Sequence, residues 1–340
     1  MRYIGSKQNL LAFIERVATC HCSGARTFVD LFCGTAVVGR HFKSLNFNVT
    51  SNDLMAYAYT FARALVQNNG EPLFAGLGLN GNAPLDKAVE HLNSLSPVQG
   101  FVTSHYSPAG SDRMYLSPEN AGRIDAIRMQ LQVWRRTEAV TEDEFHILLA
   151  ALLAAVPSVS NVSGTYGAYL KFWESRSKKR LLLQAPALMI TPGTHRALNE
   201  DANVIAPALN CDILYLDPPY NRRQYASNYH LLESIAVWDY AAPLGVSGLP
   251  KRPERRSLYC TAQASEALGH IIRTSPARHI LLSYNSEGIV SHEVLMEMLC
   301  KRGKVELFEE EYRRFRSDAD GPTRNYKADS VVERLYLVSN

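Results

Sequence analysis

Phe28-Val29-Asp30-Leu31-Phe32-Cys33-Gly34-Thr35-Ala36-Val37-Val38-Gly39 reads as a strand, a glycine turn and the start of a helix. The apolar run 27–32 supplies the strand and Val37–Leu45 the helix. A glycine turn lets backbone amides approach a ligand closely. The spacing runs Gly34, Ala36, Gly39, so the G-x-G-x-x-G fingerprint of dinucleotide-binding folds fails at its first glycine pair. A general nucleotide turn remains. Before it, Leu10–Val17 has helical periodicity. After it, Asn48–Ser51 reads as a second strand closed by Asn52-Asp53, and Tyr57–Val66 as a second helix. Strands and helices alternating through short links predict a parallel, doubly wound sheet. An acid at the end of the second strand bonds ribose hydroxyls in such folds or caps the next helix. The glycine turn before Asp53 favours the ribose role.

From residue 68 to 184 that rhythm stops. Helical segments at Ala121–Arg135 and Thr141–Val156 alternate with Gly-, Asn- and Pro-rich stretches, and the whole is too long for a loop. It is expected to be an inserted, mainly helical subdomain. The apolar run Ile147–Pro157 reads as a buried helix. Strand signals resume at Val204-Ile205 and Asp212–Leu216. Helices are expected at Tyr229–Trp238, Ala262–Arg273 and Ser291–Cys300, with a strand at His279–Ser283. Lys304–Tyr312 and Val331–Val338 read as two terminal strands joined by a charged turn, hence antiparallel. The expected architecture is α/β, a mixed sheet split by one insertion, with a main domain over 1–67 and 185–340 and the inserted subdomain over 68–184.

Composition sets the frame. The 340 residues carry 36 Lys+Arg against 33 Asp+Glu, net +3, with 46% hydrophobic and 20% charged residues. Those proportions exclude wholesale disorder. No run approaches eighteen apolar residues, so no membrane span is expected, and the N-terminal residues hold no apolar signal core, so a cytoplasmic protein is expected. Six scattered cysteines suggest free thiols rather than a disulfide framework. Cys20-His21-Cys22 lacks a second ligand pair, and no metal site is expected.

Asp217-Pro218-Pro219-Tyr220 follows the apolar strand Asp212–Leu216, where open α/β sheets place their ligands. The two prolines stiffen the backbone and remove two donors, leaving carbonyls toward a ligand. A carboxylate, a carbonyl and an aromatic ring held together suit the exocyclic amine of a flat base. That amine is a poor nucleophile because its lone pair is delocalised into the ring. Two acceptors, the Asp217 carboxylate and the Pro218 carbonyl, would bond its hydrogens and favour a tetrahedral nitrogen, while Tyr220 stacks on the base. Orientation and electrostatics then carry the chemistry. The bland alternative is a proline-stiffened turn with an ordinary acid.

With these motifs in order, the chain resembles the Dam-like (alpha group) DNA adenine-N6 methyltransferases. The resemblance rests on Arg2-Tyr3-Ile4-Gly5-Ser6-Lys7, Phe28–Gly39, Ser51-Asn52-Asp53 and Asp212–Tyr220. The stretch Asp217–Tyr225 with Asn228-Tyr229-His230, together with Leu282–Asn285 and Tyr312–Phe315, is similar to methylases paired with restriction enzymes that cut beside an asymmetric site. The resemblance implies a Rossmann-like sheet of the S-adenosylmethionine-dependent type and base flipping in double-stranded DNA, with the insertion 68–184 recognising the target. It also implies a restriction–modification setting with a partner endonuclease or a second methylase. By the same resemblance, Tyr3 and Lys7 match the N-terminal cofactor motif, Asp30, Phe32 and Gly34 hold the methionine part, Asp53 the ribose and Asp201 the cofactor's adenine. Asp217 borders the cofactor and, with Pro218, Pro219 and Tyr220, carries catalysis. Ala36 stands where the family has glycine, and its methyl is expected to narrow the cofactor pocket.

Flipping a base costs a few kcal/mol, which phosphate contacts must offset. Three basic patches are candidates: Lys171, Arg176, Lys178, Lys179 and Arg180; Lys251, Arg252, Arg255 and Arg256; and Arg313, Arg314, Arg316, Arg324 and Lys327. Arg222, Arg223 and Tyr225 flank the Asp217 motif. For each patch a solvated surface is the alternative. The loop Asn161–Tyr169, with Tyr166 and Tyr169, either reaches base edges or forms a packed turn. Methylation of RNA or of a protein glutamine, and a DNA-binding homologue without catalysis, are the other readings.

Overall fold

Alternate residues of the central strands belong to two different cores. Phe28, Ile213, Tyr215, Leu281, Leu335 and Leu337 join one apolar cluster, whereas Val29, Leu31, Leu214, Leu216, Ile280, Leu282, Tyr336 and Val338 join another. A two-residue side-chain period produces this division, and both faces of the sheet are covered by helices. The structure is a computed structural model and describes residues 5–79, 81–313 and 330–339.

The strands are β1 (Thr27–Asp30), β2 (Asn48–Asn52), β3 (Arg196–Leu198), β4 (Ile213–Leu216), the two-residue pair β5 (Pro243–Leu244) and β6 (Leu249–Pro250), β7 (His279–Asn285), β8 (Lys304–Arg313) and β9 (Ser330–Ser339). Among the described residues the main sheet has seven strands in the order β3-β2-β1-β4-β7-β9-β8. The first five are mutually parallel, and β9 runs antiparallel between β7 and β8. All four residues of β4 are buried, as expected for a parallel strand covered on both faces. The chain order reverses between β1 and β4, so their carboxyl ends open a crevice at the sheet's switch point. Register sets Asp30 beside Ser51 on one side and Tyr215 on the other.

The first cluster is covered by helices 11–21, 37–44 and 56–62, the second by helices 264–274 and 292–300. Between residues 68 and 184 lie helices 84–94, 101–106, 118–136 and 142–159. The last starts at a capping box between Thr141 and Glu144, which satisfies two otherwise unpaired amides. Val102, Ile124 and Leu148 share the cluster of Phe28 and Tyr57, so this segment packs continuously with the sheet. Buried Arg128 donates to the carbonyls of Ile235 and Ala236, capping helix 230–237 from the segment. Among the described residues no helix is long and apolar enough to cross a membrane.

Two local expectations are corrected. Val204-Ile205 is no strand but the end of a helical turn, Ala202–Ile205, started by Asp201, whose side chain accepts from the Asn203 amide at 2.8 Å. Val204 is 73% exposed, so its β-branched side chain finds no sheet to pack on. The edge strand is β3 instead. The helix expected over Tyr57–Val66 ends at Ala62 and continues as a π-helical turn, Arg63–Gln67. The Lys43 ammonium, inside the protein, takes the carbonyls of Val66 and Asn68 that this turn frees, at 2.9 and 2.5 Å. Burial lowers its pKa to about 8.

Candidate active site

A cleft opens at the carboxyl ends of β1, β2 and β4. Its walls bring together Lys7, Asp30, Phe32, Gly34, Asp53, Asp201 and Asp217, which are separated by up to 210 positions in sequence. Pro219 and Tyr225 also line it; Pro218 and Tyr220 are not among its lining residues, and Pro218 is buried. Tyr220 packs its ring edge-on against Tyr284, with centroids 6.0 Å apart, and sits 5.6 Å from the Lys7 ammonium. Tyr3 lies outside the described residues.

The turn after β1 is held from within. Asp53 Oδ2 accepts from the Gly34 amide at 2.9 Å and Oδ1 from the Met55 amide at 2.9 Å, so the acid ties the ends of β1 and β2 together. Burial pushes its pKa up to about 6, against those two amides, which favour the charged form. Asp30 Oδ2 accepts from the Gly39 amide at 3.1 Å, whereas Oδ1 is buried without a hydrogen-bond partner. Burial, reinforced by the charge of Asp217, raises Asp30 to about 8. Gly39 lets helix 37–44 sit close to β2, because a β-carbon there would require the Ser51 hydroxyl to move.

Ala36 adopts φ 59° and ψ 23°, the left-handed region, and is fully buried. It is not among the residues that wall the cleft, so its methyl does not narrow the pocket as expected. Ala36→Gly relieves left-handed strain of about 1–2 kcal/mol, but loses a buried methyl worth about 0.8 kcal/mol and gains chain entropy worth about 0.5–1 kcal/mol. The expected result is a change in stability below about 1 kcal/mol in denaturant unfolding, the near-cancellation of those opposing terms. Cofactor affinity by calorimetry should stay within about twofold, since no wall contact is removed. A tenfold affinity change would place the methyl back in the pocket.

Behind Asp217 lies a buried ionic cluster. Lys7 Nζ stands 3.2 Å from Asp217 Oδ1 and 2.5 Å from Glu333 Oε1, and Ser283 Oγ donates to the same Glu333 oxygen at 2.8 Å. The Asp217 contact lies within ion-pair distance but outside hydrogen-bonding angles, leaving Oδ1 without a donor. Burial pushes Asp217 up to about 7; Lys7 opposes this and Glu333 adds to it. Burial works against the charge on Lys7 too, but Asp217 and Glu333 outweigh it and hold the ammonium well above its ordinary pKa. Sequence reading missed Glu333, because it lies 326 positions from Lys7 on the last strand.

The predicted DNA contacts fall into three groups. Lys171, Lys178, Lys179, Arg180, Arg222, Arg223 and Arg256 are exposed, and Arg256 lies on the cleft wall. Arg176 and Arg255 turn inward. Arg176 pairs with Glu174 at 2.7 Å and bonds the Val162 carbonyl. Arg255 pairs with Glu233 at 3.3 Å and bonds the Leu54 carbonyl. Arg313 is the last described residue of β8, and Arg314 with the remainder of its patch lies outside the described residues. A second concavity, walled in part by Lys251, Arg252, Arg255 and Arg256, adjoins the cleft through Gln224 and Ala226. The loop after Asn161 is built: Tyr166 donates its amide to the Asn228 carbonyl at 2.7 Å and is itself buried.

This acid-rich chamber suits a cationic ligand beside a neutral base. The buried, unpartnered Asp30 oxygen and the Gly34 turn fit the polar and cationic parts of S-adenosylmethionine. The family described as D12 class N6 adenine-specific DNA methyltransferase matches residues 3–298. The chain is 42% identical over 323 residues to the type II methyltransferase M.FokI of Planomicrobium okeanokoites, covering 93% of this chain and 50% of that protein. It is 38% identical over 343 residues to the type II methyltransferase M.NlaIII of Neisseria lactamica, covering 99% of each. Modification methylase StsI of Streptococcus sanguinis is 38% identical over 322 residues, 93% of this chain and 49% of that protein. The chain thus spans about half the length of M.FokI and StsI.

Proposed function

This chain belongs to the D12 class of N6 adenine-specific DNA methyltransferases, and from that premise we propose that it methylates the exocyclic amine of an adenine flipped out of double-stranded DNA. The observation that carries the reading is the convergence of Asp217 with Asp30, Gly34 and Asp53 on one cleft. S-adenosylmethionine supplies an electrophilic methyl when bound there. Asp30, Phe32 and Gly34 hold its methionine part, Asp53 its ribose, and Asp201 borders its adenine. Asp217 and the Pro218 carbonyl would accept the two amine hydrogens and localise the nitrogen lone pair for attack, one of those hydrogens leaving as a proton once the amine is methylated. Positioned acceptors of this kind act mainly through electrostatics. Tyr220 stacks on the flipped base.

Lys171, Lys178, Lys179, Arg180, Arg222, Arg223 and Arg256 are exposed and offset the flipping cost through phosphate contacts. The segment 68–184 carries target recognition, and residues 1–67 and 185–340 carry catalysis. The biological setting is the cytoplasm and a restriction–modification system, with a cognate endonuclease or second methylase alongside.

The test is transfer of labelled methyl to plasmid DNA from a host lacking adenine methylation, followed by nucleoside analysis. N6-methyladenine is the expected product. Label on cytosine, on RNA or on a protein glutamine, with none on adenine, overturns the reading. Cofactor binding without transfer to any of these identifies an inert homologue.

A further inference from the structure

Lys7 does not serve Asp217 alone. Its ammonium is 0.7 Å closer to Glu333 than to Asp217, and only the Glu333 contact has hydrogen-bond geometry. Ser283, on β7, anchors the same Glu333 oxygen from the opposite side. Both Lys7 and Glu333 are 5% exposed, so water does not share the proton donors. A carboxylate that accepts a strong bond from an ammonium is a weaker acceptor for anything else. A carboxylate with no cation nearby, in a buried site, protonates. The arrangement avoids both outcomes: Asp217 feels the positive charge at 3.2 Å, while the ammonium is drawn to Glu333 and Asp217 Oδ1 receives none of its three donors in hydrogen-bond geometry.

We propose that Glu333 is a positioning residue for methyl transfer: by drawing the Lys7 ammonium toward itself it leaves Asp217 Oδ1 open as an acceptor, with the cation close to it but not occupying it. This rests on Asp217 being the amine acceptor. Each strand end around Asp217 contributes a titratable group: Asp30 from β1, Tyr215 from β4 and Glu333 from β9, with Lys7, Tyr220 and Tyr225 closing the remaining sides. Of these only Lys7 is a cation, so the place of its ammonium between the two carboxylates governs how far Asp217 Oδ1 is occupied.

Glu333→Gln releases the ammonium to Asp217. The acidic limb of the kcat profile is then expected to move down by about one pH unit, because a like charge is gone and the cation is nearer. The plateau kcat is expected to fall by about tenfold, because the acceptor is now occupied. KM for DNA and cofactor affinity should be nearly unchanged. A merely structural Glu333 would lower the melting temperature and leave the limb in place. Where Glu333→Gln fails to fold, Ser283→Ala loosens Glu333 without removing its charge and should move the limb the same way by a smaller amount. An acidic limb that stays put or rises in the folded variant overturns the proposal. The full chain and unmethylated plasmid DNA serve throughout. If the wild type places no label on adenine, the assignment of function fails; if it does so and Glu333→Gln matches it, only the role of Glu333 fails.

Discussion

Asp217→Ala is expected to slow methyl transfer by about three orders of magnitude, the range seen when a single preorganised electrostatic partner is removed from a reacting group. The fold should survive. Lys7 keeps a 2.5 Å partner in Glu333 when Asp217 is gone, so no buried ammonium is stranded, and the loss of one of three neighbouring acids relieves repulsion in a desolvated space. Cofactor affinity should change by only a few-fold, because Asp30, Gly34 and Asp53, the residues proposed to hold it, are untouched. Asp217→Asn separates charge from geometry. The amide retains one carbonyl acceptor in nearly the same volume, so its rate should lie between those of wild type and alanine. Single-turnover transfer at saturating cofactor reads this ordering directly. Equal rates for wild type and alanine would remove Asp217 from the chemistry.

The parts of this site that sequence could reveal are those built within one strand and its following turn. β1 and β4 announce themselves because buried parallel strands are short apolar runs, and Gly34 and Asp217 stand just beyond them. The terminal strand β9 was legible for a similar reason, since Leu335-Tyr336-Leu337-Val338 is a continuous apolar run and all four are buried. β3 left no such trace: it has three residues, of which Arg196 is exposed and only Ala197 is buried. Pairing partners far apart in the chain were also hidden. Nothing local connects Lys7 to Glu333, nor shows that Arg255 turns inward to Glu233 while its neighbour Arg256 remains exposed. A run of cations specifies charge density but not which guanidinium the fold keeps for itself. The left-handed conformation of Ala36 was half legible, because the glycine usual at that place signals the backbone but not the direction of the added methyl.

Lys7→Met should produce the opposite pH response to Glu333→Gln, together with a larger penalty. Methionine fills the space but leaves Asp217 and Glu333 without the ammonium they share. In the wild type the Lys7 charge already only partly offsets burial, and Asp217 sits at about 7. Without that charge its pKa rises, so the anionic form that the proposed acceptor role requires is present only at higher pH. The acidic limb is expected to rise by at least about one unit, the usual size of a lost charge partner. Activity at pH 7 should fall steeply and recover partly in alkaline buffer. Removing one partner of a buried pair typically costs about 3–5 kcal/mol. Here protonation of the stranded acids limits that cost, and it does so in a pH-dependent way. Asp217 titrates higher in the folded chain than in the unfolded one, so the folded state holds the extra proton between the two values and stability falls as pH rises through that window. The variant widens the window upward. Its deficit relative to wild type should therefore be small in acid, below the unfolded carboxylate range, and greatest above the raised folded pKa. Denaturant unfolding at several pH values measures the deficit, and the pH–rate profile measures the limb. A deficit independent of pH, with an unmoved limb, would mean that Lys7 packs beside Asp217 without setting its charge.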